Sequence, residues 1–186
     1  MHPCFFGYGS LVNRDTHVYD QAARAQLAGW RRKWVYTRAR GLAFLSVIED
    51  AGTTIDGLIA EVPQGDWAAL DAREHGYARI ASGGAVTHPR DPGSTISHYS
   101  VPADTWVTGA QNHILLSYLD VVVQGYLREF GAGGVAGFFD TTDGWDTPVL
   151  DDRRAPQYPR AQQLTRSETA LVDQHLALRN VAVTPA

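Results

Sequence analysis

The sequence is poor in the residues on which several classes of chemistry depend. Its 186 residues include one cysteine, Cys4, and Lys33 is the only lysine among 16 basic residues. A single cysteine cannot form a disulfide within the chain or build a cysteine-rich zinc cluster. Because Lys33 lies in the run Arg31-Arg32-Lys33-Trp34, the Gly-Lys-Ser/Thr signature of a phosphate loop is also missing. We therefore favour neither thiol catalysis at Cys4 nor a Schiff base at Lys33.

Strong charge and long apolar runs are absent as well. The net charge is −4, and 44% of the residues are hydrophobic, which is typical of a globular domain. No stretch approaches the roughly 18 consecutive apolar residues of a membrane helix, and no basic segment precedes an apolar one at the start. We expect a cytoplasmic protein with a single domain over residues 1–186 and no nucleic-acid or membrane partner. The sequence leaves the oligomeric state open.

The histidines do not follow a metal-binding pattern. No pair has HxxxH or HxH spacing, and no cluster of carboxylates accompanies them. We expect no metal and no cofactor. The seven are His2, His17, His75, His88, His98, His113 and His175.

Strand-like patterns dominate the first half of the chain. Cys4–Phe6 is a short apolar run, and Trp30–Thr37 alternates with the period of a strand. Phe44–Ile48 and Ile55–Val62 flank the turn-forming residues Glu49–Gly52, which predicts a hairpin.

A short helix and two more strands are predicted next. Asp66 is the candidate N-cap of a helix that ends at Gly76. Strands are expected at Tyr77–Ala81 and Thr95–Val101, separated by a turn over 90–94.

The second half is mostly helical. Apolar residues at helical spacing predict a helix over Gln111–Phe130 that is ended by Gly131. Residues 140–160 form a polar loop, and the capping-box pattern Thr165–Glu168 opens a last helix that reaches Leu178. Strands followed by helices favour an α+β fold, in which residues 140–186 are a C-terminal extension.

Two glycines shape a sharp turn after the first strand. In Phe6–Leu11, Gly7 and Gly9 flank Tyr8, so successive backbone N–H groups can face one cavity and bind a carboxylate or phosphate oxygen. A tight turn in which Ser10 caps a helix explains the same residues. The residues alone leave both interpretations open.

Glu74 differs from the other four glutamates. Glu49, Glu61, Glu129 and Glu168 all have ordinary solvated or capping roles. Glu74 ends a short helix, and neighbouring apolar and aromatic side chains would raise its pKa by desolvation, as an acid–base catalyst requires. The alternative is a surface glutamate paired with Arg73 or Arg79.

The segment from Gly144 to Arg160 is long for a connection in a compact domain. Such a loop either acts as a lid over a site or packs across the surface of the domain. The sequence favours the second interpretation without excluding the first.

The glycine turn and the later Leu70-Asp71-x-x-Glu74-x-x-Tyr77 motif together resemble the gamma-glutamylcyclotransferase-like superfamily. Leu27-x-Gly29-Trp30 and Ile55-x-Gly57-x-Ile59 resemble its strands, so the similarity covers about residues 3 to 130. It implies a small mixed β-barrel with flanking helices and a cavity at one end. The last helix lies outside that common core.

The resemblance also implies an activity. A γ-glutamyl amine, a γ-glutamyl amino acid or glutathione would be converted to 5-oxoproline and a free amine. Glu74 would be the catalytic acid–base, and Tyr8, Gly9, Ser10 and Leu11 would hold the substrate carboxylate. Tyr77 would line the cavity. A further aromatic residue is expected on the long helix, with Tyr118 preferred to Tyr126.

Two alternatives remain. A non-catalytic member of the same fold would bind a small carboxylated metabolite in the same cavity. A sugar hydrolase would need a second carboxylate at a set distance, and only Asp71 lies close in sequence.

Overall fold

The computed structural model describes residues 2–38, 41–90, 93–108 and 112–186. Gln111 and the centre of the predicted turn over 90–94 lie outside these residues. Three helices are present in the described parts: α1 (Ala68–Arg73), α2 (Leu116–Asp140) and α3 (Arg166–Leu178). The strands are β1 (Pro3–Gly7), β2 (Ala23–Tyr36), β3 (Ala43–Glu61), β4 (Ala78–Ala81), β5 (Val86–Thr87), β6 (Thr95–Ser100), β7 (Ile114–Leu115), β8 (Thr142–Asp143), β9 (Val149–Asp151) and β10 (Val183–Pro185).

The main sheet is mixed and curls into a half-barrel. Its strand order is β4-β6-β1-β3-β2-β5, and β8 also pairs with β2. β1 is parallel to β6 and antiparallel to β3. The α+β class is confirmed, whereas a closed barrel is not, because no ladder joins β4 to β5 among the described residues.

The predicted hairpin around Glu49–Gly52 is wrong. β3 runs through this segment without reversing, and both predicted hairpin arms pair with β2. Four residues of β3, 50–53, lie opposite a single residue of β2, Gly29, which has a φ of 79°. The Asp50 carboxylate accepts bonds from the Gly52 N–H at 3.2 Å and the Thr53 hydroxyl at 2.6 Å. The turn-forming residues are thus accommodated in a bulge.

The long helix also differs from the prediction. It begins at Leu116 and continues to Asp140, with Gly131 (φ 68°, ψ −169°) breaking its path in the middle. The helix resumes after the break because this second part places Val135, Phe138 and Phe139 in the core. Gly131 was expected to end the helix, but this packing outweighs the local stop signal.

The C-terminal region contains more regular structure than a loop. Residues 140–160 include β8 and β9, and β9 lies between β7 and β10 in a small parallel sheet. The capping box of α3 is confirmed: the Thr165 hydroxyl accepts from the Glu168 N–H, and the Glu168 carboxylate accepts from the Thr165 N–H. α3 packs on α2.

His98 is a buried polar residue in β6. Its Nδ1 lies 2.9 Å from the Ser82 hydroxyl, and its ring contacts Trp30 edge-on at 4.5 Å. Nε2 is buried with no hydrogen-bond partner in the described structure. Burial lowers the pKa of His98 to about 4, because desolvation disfavours the charged form of the ring.

We predict that His98 makes the fold sensitive to acid. The unfolded chain binds a proton at His98 near pH 6.5, whereas the folded chain does so only near pH 4. Stability is therefore lost as pH falls through this interval, by about 3 kcal/mol in total. Urea denaturation between pH 4 and 8 should show a flatter profile for His98→Gln, which can still bond to Ser82. Parallel profiles for the two proteins would contradict the prediction.

Candidate active site

A cavity of about 380 Å³ lies between α1, β3, the start of α2 and residues 157–160. A smaller cavity of about 30 Å³ adjoins it and borders the glycine turn, residues 7–11. The predicted residues Ser10, Glu74, Tyr77 and Tyr118 line both cavities. The remaining predicted residues, Tyr8, Gly9 and Leu11, line the smaller one. The fold thus brings every predicted site residue to one place.

Hydrogen bonds to Tyr8 determine the orientation of the glycine turn. Its carbonyl accepts from Arg32 Nε at 3.1 Å and from the Tyr126 hydroxyl at 2.9 Å. Because the peptide bond is trans, the Gly9 N–H points away from these two buried groups. The Tyr8 side chain itself is buried, and its hydroxyl donates to the Tyr99 carbonyl at 2.6 Å. Tyr8 therefore contributes its backbone to the turn.

Gly9 makes room for Tyr118. A Cβ at position 9 would lie 2.7 Å from the Tyr118 hydroxyl oxygen. Burial raises the pKa of Tyr118 far above its usual range, and the nearby Ser10 backbone acts in the opposite direction. Ser10–Val12 forms a 3-10 turn that begins directly after Gly9. The turn and the long helix therefore meet at the Tyr118 hydroxyl.

Glu74 lies at the C-terminal end of α1, and its N–H donates to the Leu70 carbonyl at 2.9 Å. Arg73 Nε lies 3.2 Å from its carboxylate, and only 18% of the Glu74 side chain is exposed. Arg73 also donates to the Thr16 carbonyl at 2.8 Å and to the Ser10 hydroxyl at 3.4 Å. Glu74 is thus paired with Arg73 while facing the cavities.

The other acid considered for this region is used elsewhere. Asp71 accepts from Arg79 at 3.2 Å and from the Tyr99 hydroxyl at 2.5 Å. Glu74 is the only carboxylate among the described residues that line the two cavities. A sugar hydrolase needs a second acid, and the described lining of the two cavities contains none beside Glu74.

Desolvation controls the protonation of the site. Burial raises the pKa of Glu74, although the guanidinium groups of Arg73 and Arg160 act in the opposite direction. Burial likewise raises the pKa values of Tyr77 and Tyr118 far above the usual range. Both phenols are neutral at physiological pH and can donate hydrogen bonds. The Tyr77 hydroxyl donates to the Leu45 carbonyl at 3.1 Å.

The lining residues that the sequence did not predict as site residues include Arg73, Tyr158 and Arg160. The last two come from the 157–160 segment, and the Tyr158 ring meets the Tyr118 ring edge-on at 5.0 Å. The loop beyond residue 144 therefore forms part of the cavity wall and also packs on the domain. Its length was a signal for this role, but contact with Tyr118 depends on tertiary structure.

Tyr126 and the potential metal ligands lie outside this arrangement. Tyr126 is fully buried and bonds to the Tyr8 carbonyl, so Tyr118 is the aromatic residue of the long helix that reaches the cavity. In the parts of the chain that the structure describes, no group of three or more His, Cys, Asp or Glu side chains is placed to hold a metal ion. Nor do those parts contain a helix with the length and hydrophobicity needed to span a membrane.

No protein-family model matches the chain, and no curated protein sequence matches it. Among solved structures, a "Gamma-glutamyl cyclotransferase" superposes with a TM-score of 0.55 at 13% identity, over 92% of this chain and 98% of that one. The chain has the gamma-glutamylcyclotransferase-like fold. The human protein loc79017, described as uncharacterized, gives a TM-score of 0.55 at 13% identity, over 91% and 97% of the two chains. YkqA from Bacillus subtilis gives 0.52 at 19% identity, over 77% of this chain and 56% of its own.

At these identities the likeness establishes the fold alone. At the level of the fold, the likeness confirms the resemblance that the glycine turn and the Glu74 motif indicated. The chemistry of the site depends on this chain's own residues.

We predict an energetic coupling between Gly9 and Tyr118. Gly9→Ala should lower the free energy of unfolding by about 1–3 kcal/mol, because the added methyl group overlaps the Tyr118 hydroxyl. Tyr118→Phe removes that oxygen, so the double variant should lose less stability than the sum of the single variants. Chemical denaturation of all four proteins measures the coupling. Additive losses would show that the contact is unimportant.

We also predict that Glu74 makes stability fall as pH rises. Its pKa is higher in the folded chain than in the unfolded chain, where it is about 4.3. The folded state therefore binds more protons between the two pKa values, and the free energy of unfolding decreases with pH across that interval. Glu74→Gln cannot titrate, so its stability relative to the unaltered protein should rise as pH increases from about 4. A constant difference would contradict the raised pKa.

Proposed function

We propose that this protein is an enzyme of the gamma-glutamylcyclotransferase type, with Glu74 as its acid–base residue. It would convert a γ-glutamyl amine, a γ-glutamyl amino acid or glutathione to 5-oxoproline and the free amine. The observation that carries the proposal is the position of Glu74. A desolvated carboxylate with a raised pKa faces two adjoining cavities, one of which borders the glycine turn.

The glycine turn is the proposed site for the substrate α-carboxylate. The Gly9 N–H points away from Arg32, and Ser10 and Leu11 begin the 3-10 turn that borders the smaller cavity. Backbone N–H groups in such a turn bind a carboxylate without a lysine. The Arg73 guanidinium, which bonds to the Ser10 hydroxyl, adds positive charge beside them. Binding there would place the γ-carbonyl near Glu74.

The proposed reaction is an intramolecular acyl transfer. The α-amine nitrogen attacks the γ-carbonyl carbon and forms the carbon–nitrogen bond of a five-membered lactam. The bond from that carbon to the leaving nitrogen breaks. The α-ammonium group loses two protons as it becomes the lactam N–H: one passes to the leaving nitrogen, and the other is released to water, where the free amine can bind it. Because nucleophile and electrophile belong to one molecule, positioning supplies much of the rate without an enzyme nucleophile.

Glu74 would carry the proton between the two nitrogens. An α-ammonium group has a reference pKa of about 8, so an ordinary carboxylate is a weak base toward it. Burial raises the pKa of Glu74 and reduces that mismatch, as general acid–base catalysis favours. The neutral phenol of Tyr118 lines the same space and would donate a hydrogen bond to a substrate oxygen, while Tyr77, which donates to the Leu45 carbonyl, lines the cavity beside it.

Replacing Glu74 tests the mechanism. Glu74→Gln keeps the side-chain shape and removes the exchangeable proton, so we expect 5-oxoproline release to fall by a factor of at least about 100. Release is measured by mass spectrometry after incubation with γ-glutamyl amino acids, γ-glutamyl amines and glutathione. Thermal unfolding confirms that the variant is folded.

Glu49→Gln is the matched control, because Glu49 is exposed on β3, outside both cavities. Its turnover should equal that of the unaltered protein. Full turnover by Glu74→Gln would remove Glu74 from the mechanism. Binding of γ-glutamyl compounds by the unaltered protein without any 5-oxoproline would instead support the non-catalytic alternative.

A further inference from the structure

The Arg160 guanidinium is a free cation beside the cavity. Arg160 lines the 380 Å³ cavity and is exposed to solvent. Within residues 2–38, 41–90, 93–108 and 112–186, no hydrogen bond or ion pair engages its side chain, although its carbonyl accepts from Gln162. It acts electrostatically on Glu74. An unpaired arginine at a cavity is suited to a carboxylate or phosphate ligand.

The other cation of the cavity is already in use. Arg73 contacts the Glu74 carboxylate, the Thr16 carbonyl and the Ser10 hydroxyl, and 9% of its side chain is exposed. Since Glu74 is the only carboxylate among the described lining residues, the two arginines outnumber the acids. The cavity therefore carries an excess of positive charge at Arg160, where a bound anion would balance it.

The loop that carries Arg160 is held firmly. The buried Asp152 carboxylate accepts from the Ser117 N–H at 2.8 Å, the Ser117 hydroxyl at 2.6 Å and the Gln157 N–H at 2.8 Å. Arg153 donates two bonds of 2.8 Å to Asp120 on α2. These bonds attach the segment that leads into the cavity wall to α2. A fixed loop reduces the entropy lost when a ligand binds to it.

The glycine turn and Arg160 border different cavities. Gly9 and Leu11 line only the smaller cavity, Arg160 lines only the larger one, and Glu74 is among the residues that line both. A substrate that reaches from the glycine turn to Arg160 therefore crosses the shared wall that contains Glu74. This order matches a molecule with an anionic group at each end and a scissile amide between them.

We propose that Arg160 forms a second carboxylate site, which binds the carboxylate of the leaving amino acid. The preferred substrates are then γ-glutamyl amino acids or γ-glutamyl peptides, rather than γ-glutamyl amines. The inference rests on the proposed function, because it takes the leaving group to occupy the larger cavity. Arg160 touches the part of the substrate that departs and takes no part in the proton transfer.

A pair of substrates that differ only in one carboxylate tests this site. γ-Glutamyl-alanine and γ-glutamyl-ethylamine release alanine and ethylamine, respectively. We expect KM to be about tenfold lower for the alanine compound, as one charge-assisted hydrogen bond predicts. Arg160→Gln should remove that preference by raising KM for γ-glutamyl-alanine alone. Because Arg160 also lowers the pKa of Glu74, any change in kcat should be the same for the two substrates. Arg154→Gln, an exposed arginine of the same loop, should retain the preference.

Equal effects of Arg160→Gln on the two KM values, or no initial preference, would overturn the second carboxylate site while leaving the proposed function intact. A lack of 5-oxoproline from either substrate would overturn the proposed function. In that case titration calorimetry tests the second carboxylate site without turnover. Tighter binding of γ-glutamyl-alanine than of γ-glutamyl-ethylamine, abolished by Arg160→Gln, would support the site. Equal binding of the two compounds would overturn it.

Discussion

The buried guanidinium of Arg32 connects the parts of the molecule that form the site. Only 1% of this residue is exposed, and it donates to the Tyr8 carbonyl, the Asp56 carbonyl, the Tyr126 hydroxyl and the Thr141 hydroxyl. It also lies over the Tyr126 ring at 5.0 Å. A buried charge is costly unless its hydrogen bonds are satisfied, so these partners must keep their positions. One side chain thereby ties β1, β3 and α2 to β2.

This constraint extends to the chemistry. Because the Tyr8 carbonyl is held by Arg32 and Tyr126, the next N–H faces the opposite side, where Tyr118 and the cavities lie. Gly9 then allows the Tyr118 hydroxyl to approach the turn closely. The proposed binding of an anion by the turn therefore depends on the packing beneath it as much as on its glycines.

The errors in reading the sequence have a common physical origin. Glu49–Gly52 has the composition of a turn, yet pairing of β3 with β2 on both sides confines it to a bulge. Gly131 adopts a positive φ as a helix stop does, but burial of Phe138 and Phe139 restarts the helix. Local signals describe the preferences of a few residues, and long-range pairing and burial can outweigh them. The α3 capping box needed no distant partner and was predicted correctly.

The residue pattern marked the glycine turn and Glu74 as candidates but left an ordinary turn and a surface glutamate open, and the resemblance to the gamma-glutamylcyclotransferase-like superfamily selected the two. The sequence predicted that desolvation would raise the pKa of Glu74 but could not decide it, since the pKa depends on water being excluded by elements far apart in sequence. The same holds for Arg160 and Tyr158, which reach the cavity only because Asp152 and Arg153 bind their loop to α2. The sequence determines which chemical groups are available. Folding determines the distances between these groups and their solvation, and their reactivity depends on both.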